Sequence, residues 1–112
     1  MKSEEFRLVK NTKKFILSLD DLLINFPKNE KVLKDKIYLT SYEILEKIFA
    51  ANLITEREPI QKEIVSKLNM LDFYFEIAFK KKYISEKQCH RYCNELLAIT
   101  KMTYGWIKNA KC

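Results

Sequence analysis

Apolar residues recur along most of the chain with the period of an α-helix. They stand three, four or seven positions apart, which places them on one side of a helix with 3.6 residues per turn. The pattern predicts four helices, at about 4–26, 29–52, 59–79 and 85–110. The residues predicted to face inward are, in chain order, Val9, Ile16, Leu19, Leu23, Phe26, Leu33, Ile37, Ile44, Ile48, Ala51, Ile60, Ile64, Leu68, Leu71, Phe75, Phe79, Cys89, Tyr92, Leu96, Ile99, Thr103 and Trp106.

Three of the predicted helix boundaries rest on particular residues. Pro27 ends the first helix, because proline disfavours a helical conformation in the residue before it. Pro59 begins the third, where a proline has no amide hydrogen to satisfy. The sequence Ser-Glu-Lys-Gln at 85–88 is typical of a capping box, in which Ser85 caps a free amide and Gln88 reaches back.

The composition favours the same fold class. One glycine and two prolines in 112 residues leave almost no turn chemistry for hairpins or a β-sandwich. Short connections make neighbouring helices antiparallel, so the sequence predicts an all-α, up-down-up-down four-helix bundle. The length fits a single domain over residues 1–112.

A second apolar stripe runs beside the first on two of the predicted helices. A small bundle buries one stripe per helix, so the surplus predicts a surface for self-association. The alternative is a wide core in a monomer. The second stripes consist of Tyr38, Tyr42, Leu45 and Phe49 on the second helix, and of Met70, Phe73, Tyr74 and Ile77 on the third.

Positive charge is concentrated in the last third of the chain. The net charge is +6, and it comes entirely from residue 80 onward, where the chain has eight basic and two acidic residues. Such asymmetry favours an acidic partner, either a phosphate backbone or an acidic protein surface. The alternative is a solvated, lysine-rich face. The candidate binding residues are Lys80, Lys81 and Lys82 at the predicted turn, and Lys87 and Arg91 on one side of the last helix; Lys101, Lys108 and Lys111 complete the basic set.

Catalytic and metal-binding patterns are poorly represented. A single glycine excludes a glycine-rich phosphate loop. His90 lies on the polar side of its helix, about 100° from Cys89, so Cys89, His90 and Cys93 do not converge as a zinc site requires. We therefore expect no enzyme activity, no metal and no cofactor. An odd number of cysteines, no apolar run long enough to span a membrane and no signal peptide predict a cytoplasmic protein with reduced thiols.

Three segments resemble the accessory variability determinants of diversity-generating retroelements. They are NFPKNEKVLKDKIYLTSYEILEKIFAAN (25–52), LDFYFEIAFKKKYIS (71–85) and AITKMTYGWIK (98–108). Together these segments span about residues 25–109, and their order and spacing are more specific than any one of them. The four-helix-bundle proteins encoded within 23S ribosomal RNA intervening sequences share the fold, but their motifs match less well.

The resemblance implies a four-helix bundle that forms a homopentameric ring with a basic surface. It also implies two kinds of partner, the reverse transcriptase of the retroelement and its template RNA and cDNA, with a role in mutagenic copying of that RNA. The family's arginines along the third helix are replaced here by residues such as Asp72 and Glu76. The basic role would therefore move to the three lysines that follow. A structural oligomer of the intervening-sequence type, without a nucleic-acid role, is the alternative.

The closing motif contains Gly105, Trp106, Ile107 and Lys108, which include the only glycine and the only tryptophan of the chain. A glycine inside a helix costs roughly 1 kcal/mol relative to alanine. The resemblance favours an interpretation in which Gly105 lets another helix approach closely and Trp106 fills the gap. That helix would belong to the same chain or to a neighbouring subunit. The alternative is that Gly105 begins to fray the last turn.

Overall fold

The computed structural model describes residues 3–110 and consists of four helices. They are α1 (Ser3–Leu23), α2 (Lys31–Asn52), α3 (Glu58–Lys80) and α4 (Glu86–Ala110). Each helix packs against two others, because α1 and α3 both contact α2 and α4. This is the arrangement of an up-down four-helix bundle, as the sequence predicts. Lys111 and Cys112 lie outside the described residues.

The helix boundaries agree with the prediction except at the end of α1. The helix ends at Leu23, three residues before the predicted Phe26. The amide of Phe26 instead donates a 3.1 Å hydrogen bond to the carbonyl of Leu23, which closes a turn ahead of Pro27. The prediction of a longer helix was therefore wrong, although Phe26 is buried as expected.

The core is centred on three aromatic rings that meet from different helices. Phe15, Phe75 and Tyr92 lie with each pair of ring centroids 6.0 Å apart. The Tyr92 hydroxyl donates a 2.7 Å hydrogen bond to the carbonyl of Ser18, so its one polar atom is satisfied. Tyr92 therefore ties α4 to α1 and packs inward, as predicted.

Most of the predicted inward-facing residues are buried, and the exceptions lie at the edges of the stripes. Phe79 is 40% exposed, and its neighbour Ala78 is buried instead. Ile16, Ile60 and Cys89 are only half-buried. The buried residues that the sequence pattern missed include Leu8, Phe15 and Leu22.

Two ion pairs cross between α2 and α3. Lys47 Nζ lies 2.7 Å from Glu63 Oε2, and Lys67 Nζ lies 2.5 Å from Glu43 Oε2. Each helix contributes one acid and one base four residues apart, so only one register satisfies both pairs. The hydrogen bonds from the lysines lower the pKa of both Glu43 and Glu63.

No helix within residues 3–110 is both long enough and apolar enough to span a membrane.

Candidate nucleic-acid interface at the α3–α4 corner

The corner between α3 and α4 is closed by a regular backbone motif. The amide of Lys82 donates to the carbonyl of Phe79, and the amide of Tyr83 donates to the carbonyl of Ala78, both at 2.9 Å. These are the two hydrogen bonds of a Schellman motif, which requires a left-handed residue at its turning point. Lys82 is that residue, with φ of 63°. Glycine is the usual residue there, so the chain places a lysine where the backbone disfavours a side chain.

The fourth helix begins with the predicted capping box. The amide of Gln88 donates a 3.0 Å hydrogen bond to Ser85 Oγ, and the amide of Ser85 donates a 2.9 Å hydrogen bond to Gln88 Oε1. Both ends of the turn are therefore held by hydrogen bonds, and the basic residues project from a fixed backbone.

Glu30 holds the corner from the opposite loop. Its Oε2 accepts a 2.7 Å hydrogen bond from the Tyr83 hydroxyl and lies 3.3 Å from Lys81 Nζ. The Tyr83 ring also packs against Phe26, at 5.2 Å between centroids. The hydrogen bonds from Tyr83 and Lys81 lower the pKa of Glu30, and the bond to Glu30 raises the pKa of Tyr83. Sequence reasoning missed Glu30, since it lies 51 residues from Lys81 and only the fold brings them together.

The five predicted binding residues are all exposed, but they differ in their ion pairs. Lys80 lies 3.8 Å from Glu76, and Arg91 Nε lies 3.7 Å from Glu95. Among the described residues, Lys82 and Lys87 form no ion pair. The corner therefore has two lysines whose charge is uncompensated, while Lys81 is engaged with Glu30 and Tyr83.

The structure contradicts the interpretation of Gly105 in which the approaching helix belongs to the same chain, whereas an approach by a helix of another subunit stays a prediction. A Cβ atom built on this residue meets nothing within 4 Å, so no helix of the same chain approaches it. The helix continues to Ala110, so Gly105 does not end it either. Trp106 is buried and donates a 3.2 Å hydrogen bond from Nε1 to Glu5 Oε1. Ile107 is half-buried, and Lys108 is exposed.

The second apolar stripes are divided between core and surface. Tyr38, Leu45, Tyr74 and Ile77 are half-buried and pack against the core, whereas Tyr42, Phe49, Met70 and Phe73 are exposed.

Two of the α2 tyrosines also interact at the surface beside α1. The Tyr38 hydroxyl donates a hydrogen bond to Asp20, and the Tyr38 ring stacks on Tyr42. Burial and Asp20 together raise the pKa of Tyr38 to about 12. These contacts anchor the stripe to α1, and Lys13 of α1 also lies over the Phe49 ring, 5.7 Å from its centroid.

The cysteine pair lies apart from the histidine. Cys89 Sγ and Cys93 Sγ lie 3.9 Å apart and are partly buried, and burial raises the pKa of the Cys93 thiol to about 12. His90 is exposed, 3.7 Å from Glu86. Within residues 3–110, no three histidine, cysteine, aspartate or glutamate side chains converge as metal ligands.

The fold and the corner define a four-helix bundle with a rigid basic turn. The chain is similar in structure to a protein of unknown function from the S23 ribosomal protein family of Bacteroides thetaiotaomicron, known from a crystal structure at 1.70 Å resolution. The TM-score is 0.79 at 18% identity, and the alignment covers 94% of this chain and 98% of the other. No family model and no curated protein matches this sequence. The similarity therefore establishes a shared fold.

Proposed function

We propose that the protein is a non-enzymatic accessory protein of a diversity-generating retroelement. In this role it binds the reverse transcriptase and the template RNA or its cDNA, and it supports mutagenic cDNA synthesis in the cytoplasm. The observation that carries the proposal is the α3–α4 corner, where Lys82 stands in a left-handed conformation with an uncompensated charge beside Lys87. The three sequence segments that resemble the accessory proteins supply the biological setting.

The corner suits electrostatic contact with phosphates. A lysine that neutralises a phosphate releases a counterion, and this gain does not depend on base sequence. The Schellman motif and the capping box fix the backbone, so little conformational freedom is lost when Lys82 and Lys87 bind. Such a surface would position an RNA without reading its sequence, as a supporting role for a polymerase requires.

Self-association is part of the proposal. A homopentamer is the state that the resemblance implies, and the exposed apolar residues Tyr42, Phe49, Met70 and Phe73 offer the contact surface. Light scattering tests this part directly. A mass near five times that of one chain is expected, whereas a monomer would contradict it.

A structural oligomer without a nucleic-acid role is the second candidate. It is favoured by the ion pairs that already engage Lys80, Lys81 and Arg91, since these leave less free charge for a phosphate backbone. Salt-dependent RNA binding separates the two candidates, because phosphate neutralisation weakens as salt increases.

The experiment compares two charge reversals of equal size. Lys82→Glu with Lys87→Glu changes the corner and leaves the Glu30–Lys81–Tyr83 cluster intact. Lys31→Glu with Lys36→Glu changes two exposed lysines of α2 and serves as the control. We expect the first variant alone to weaken binding to a single-stranded RNA and to the reverse transcriptase. Unchanged binding to both partners would overturn the proposed function.

A further inference from the structure

Gly105 lies on a straight line of basic and small residues along the outer side of α4. Lys87, Ala98 and Gly105 are separated by eleven and seven residues, which are three and two helical turns. Lys101 lies one turn from both Ala98 and Gly105. Lys87, Ala98 and Lys101 are exposed and Gly105 is half-buried, and the helical period places all four away from the buried side of α4, which contains Tyr92, Leu96, Ile99, Thr103 and Trp106. The line spans about 27 Å, at 1.5 Å per residue.

Basic side chains of α1 border the same surface. Arg7 and Lys14 are exposed and lie seven residues apart, which places them on the same side of α1. A cleft of about 100 Å³ between the two helices is lined by Asn11 and Lys14 from α1 and by Glu95 and Ala98 from α4. Lys14 therefore stands directly across from the line on α4.

The charge of this face is mostly positive, although Asp21, seven residues after Lys14 on the same side of α1, and Glu95 of α4 are acidic. Among the described residues, Arg7, Lys14, Lys87 and Lys101 form no ion pair. Glu95 is the carboxylate that lines the cleft, and Arg91 already lies 3.7 Å from it. We call this surface the α1–α4 face, defined by Arg7, Lys14, Lys87, Ala98, Lys101 and Gly105.

A ligand on this face would explain why residue 105 is a glycine, whereas packing within a single bundle does not require one. Gly105 is not needed for a left-handed backbone, and none of the described residues lies close enough to exclude a methyl group. A residue without a side chain is used where a ligand must come close to a helix backbone. Ala98, two turns away, is the next smallest choice. Small residues flanked by lysines allow a chain of phosphates to lie against α4 with the ammonium groups on either side.

We propose that the α1–α4 face binds the phosphate backbone of a nucleic-acid strand that continues from the α3–α4 corner along α4. The strand passes over Ala98 and Gly105, and Arg7, Lys14, Lys87 and Lys101 neutralise its phosphates. This inference deepens the proposed function and rests on it. It adds residues of α1 and the distal half of α4 to the candidate interface, and it assigns Gly105 to the ligand contact.

The contrast with the α1–α2 side favours a phosphate backbone over a second copy of the chain. That side exposes apolar residues such as Leu17, Tyr42 and Phe49, which are typical of subunit contacts. The α1–α4 face instead repeats positive charges at helical spacing, while the exposed apolar residues of α4, Leu97 and Tyr104, lie toward α3. A second copy of this face would meet it with the same charge, and the two would repel each other.

The test measures binding of a labelled single-stranded RNA by fluorescence anisotropy over a range of salt concentrations. Lys14→Glu with Lys101→Glu should lower the affinity at least tenfold. It should also reduce the slope of log K against log salt by about 1.4, since each lost phosphate contact on a single strand contributes roughly 0.7. Lys31→Glu with Lys36→Glu is the matched control and should leave both values unchanged.

Two substitutions of Gly105 separate contact from folding. Gly105→Ala should raise the melting temperature, because alanine favours a helix and its methyl group has room. Gly105→Trp places a large ring on the path of the strand and should lower RNA affinity several-fold, while light scattering shows an unchanged mass. A changed mass with unchanged RNA affinity would overturn the inference and assign Gly105 to a subunit contact.

The remaining outcomes are also decisive. If RNA binding requires Lys82 and Lys87 but is unchanged by the substitutions of Lys14 and Lys101, the inference fails and the proposed function stands. If Lys14→Glu with Lys101→Glu weakens binding only to the reverse transcriptase, the face binds protein and the inference is overturned. If the wild-type protein binds no RNA at any salt concentration, the inference is overturned, and binding of the reverse transcriptase then decides the rest of the proposed function.

Discussion

Arg57 Nη1 lies 2.8 Å from Glu5 Oε1, although 52 residues separate them in the sequence. The Glu5 side chain is only 7% exposed, and the same oxygen accepts the hydrogen bond from Trp106. Arg57 also donates a 3.2 Å bond from Nε to the carbonyl of Ile54. One buried carboxylate therefore joins the start of α1, the loop between α2 and α3, and the end of α4.

Removal of Arg57 should destabilise the fold more than the loss of a surface pair. Arg57→Ala leaves the Glu5 charge buried with Trp106 Nε1 still on its oxygen, and we expect a loss of about 2–3 kcal/mol in the free energy of unfolding. Urea denaturation measures it. Lys62→Ala breaks the exposed pair with Glu58 and should cost about 0.5 kcal/mol or less. Equal costs for the two variants would contradict the importance of burial.

The capping box makes a separate contribution at the start of α4. Ser85→Ala removes the acceptor of the 3.0 Å bond from the Gln88 amide, and a lost N-cap costs about 1 kcal/mol. Thermal denaturation should show a lower melting temperature. Ser66→Ala, at an exposed position within α3, should change the melting temperature little or raise it slightly. A stable Ser85→Ala variant would show that the Schellman motif, the Gln88 side chain and the Tyr83–Glu30 bond hold the turn without this cap.

Replacement of Lys82 by glycine should increase stability and weaken RNA binding. Lys82→Gly relieves the left-handed backbone strain and is expected to raise the free energy of unfolding by about 1 kcal/mol. The same variant should weaken RNA binding, because it removes an uncompensated charge. Lys36→Gly, in the second turn of α2, should instead lower stability by about 1 kcal/mol. The opposite signs at 82 and 36 would confirm that backbone conformation, not the lysine side chain, sets the stability change.

Acid should weaken the bundle through three carboxyl groups. Hydrogen bonds hold the pKa of Glu30, Glu43 and Glu63 below the ordinary value of 4.5. Their stabilising effect is therefore fully present above about pH 4.5 and is lost as the pH falls through the lower values of the folded state.

Unfolding measured between pH 7 and pH 2 tests this dependence. A double variant, Glu43→Gln with Glu63→Gln, should be less stable at pH 7 and should lose less stability on acidification than the wild-type protein. Glu46→Gln, at an exposed position of α2, is the control and should keep the wild-type pH dependence. Parallel pH curves for the double variant and the wild type would contradict the role of the α2–α3 ion pairs.

The sequence by itself determined the four helices, the capping box at Ser85 and the up-down bundle. These follow from local rules, since a helical stripe or a cap involves residues within one or two turns of each other. The sequence also located the basic cluster, because charge is visible without a fold.

Only the tertiary structure decided which of those residues are buried and which of the basic residues already form ion pairs. Glu30 engages Lys81 and Tyr83 from a distant loop, and the bundle turns Ala78 inward where the stripe pointed to Phe79. It also left Gly105 without a neighbouring helix within 4 Å of an added Cβ atom, among the described residues. The periodicity of a helix specifies which residues share a side, whereas the rotation of that side against its neighbours depends on packing between segments far apart in the chain.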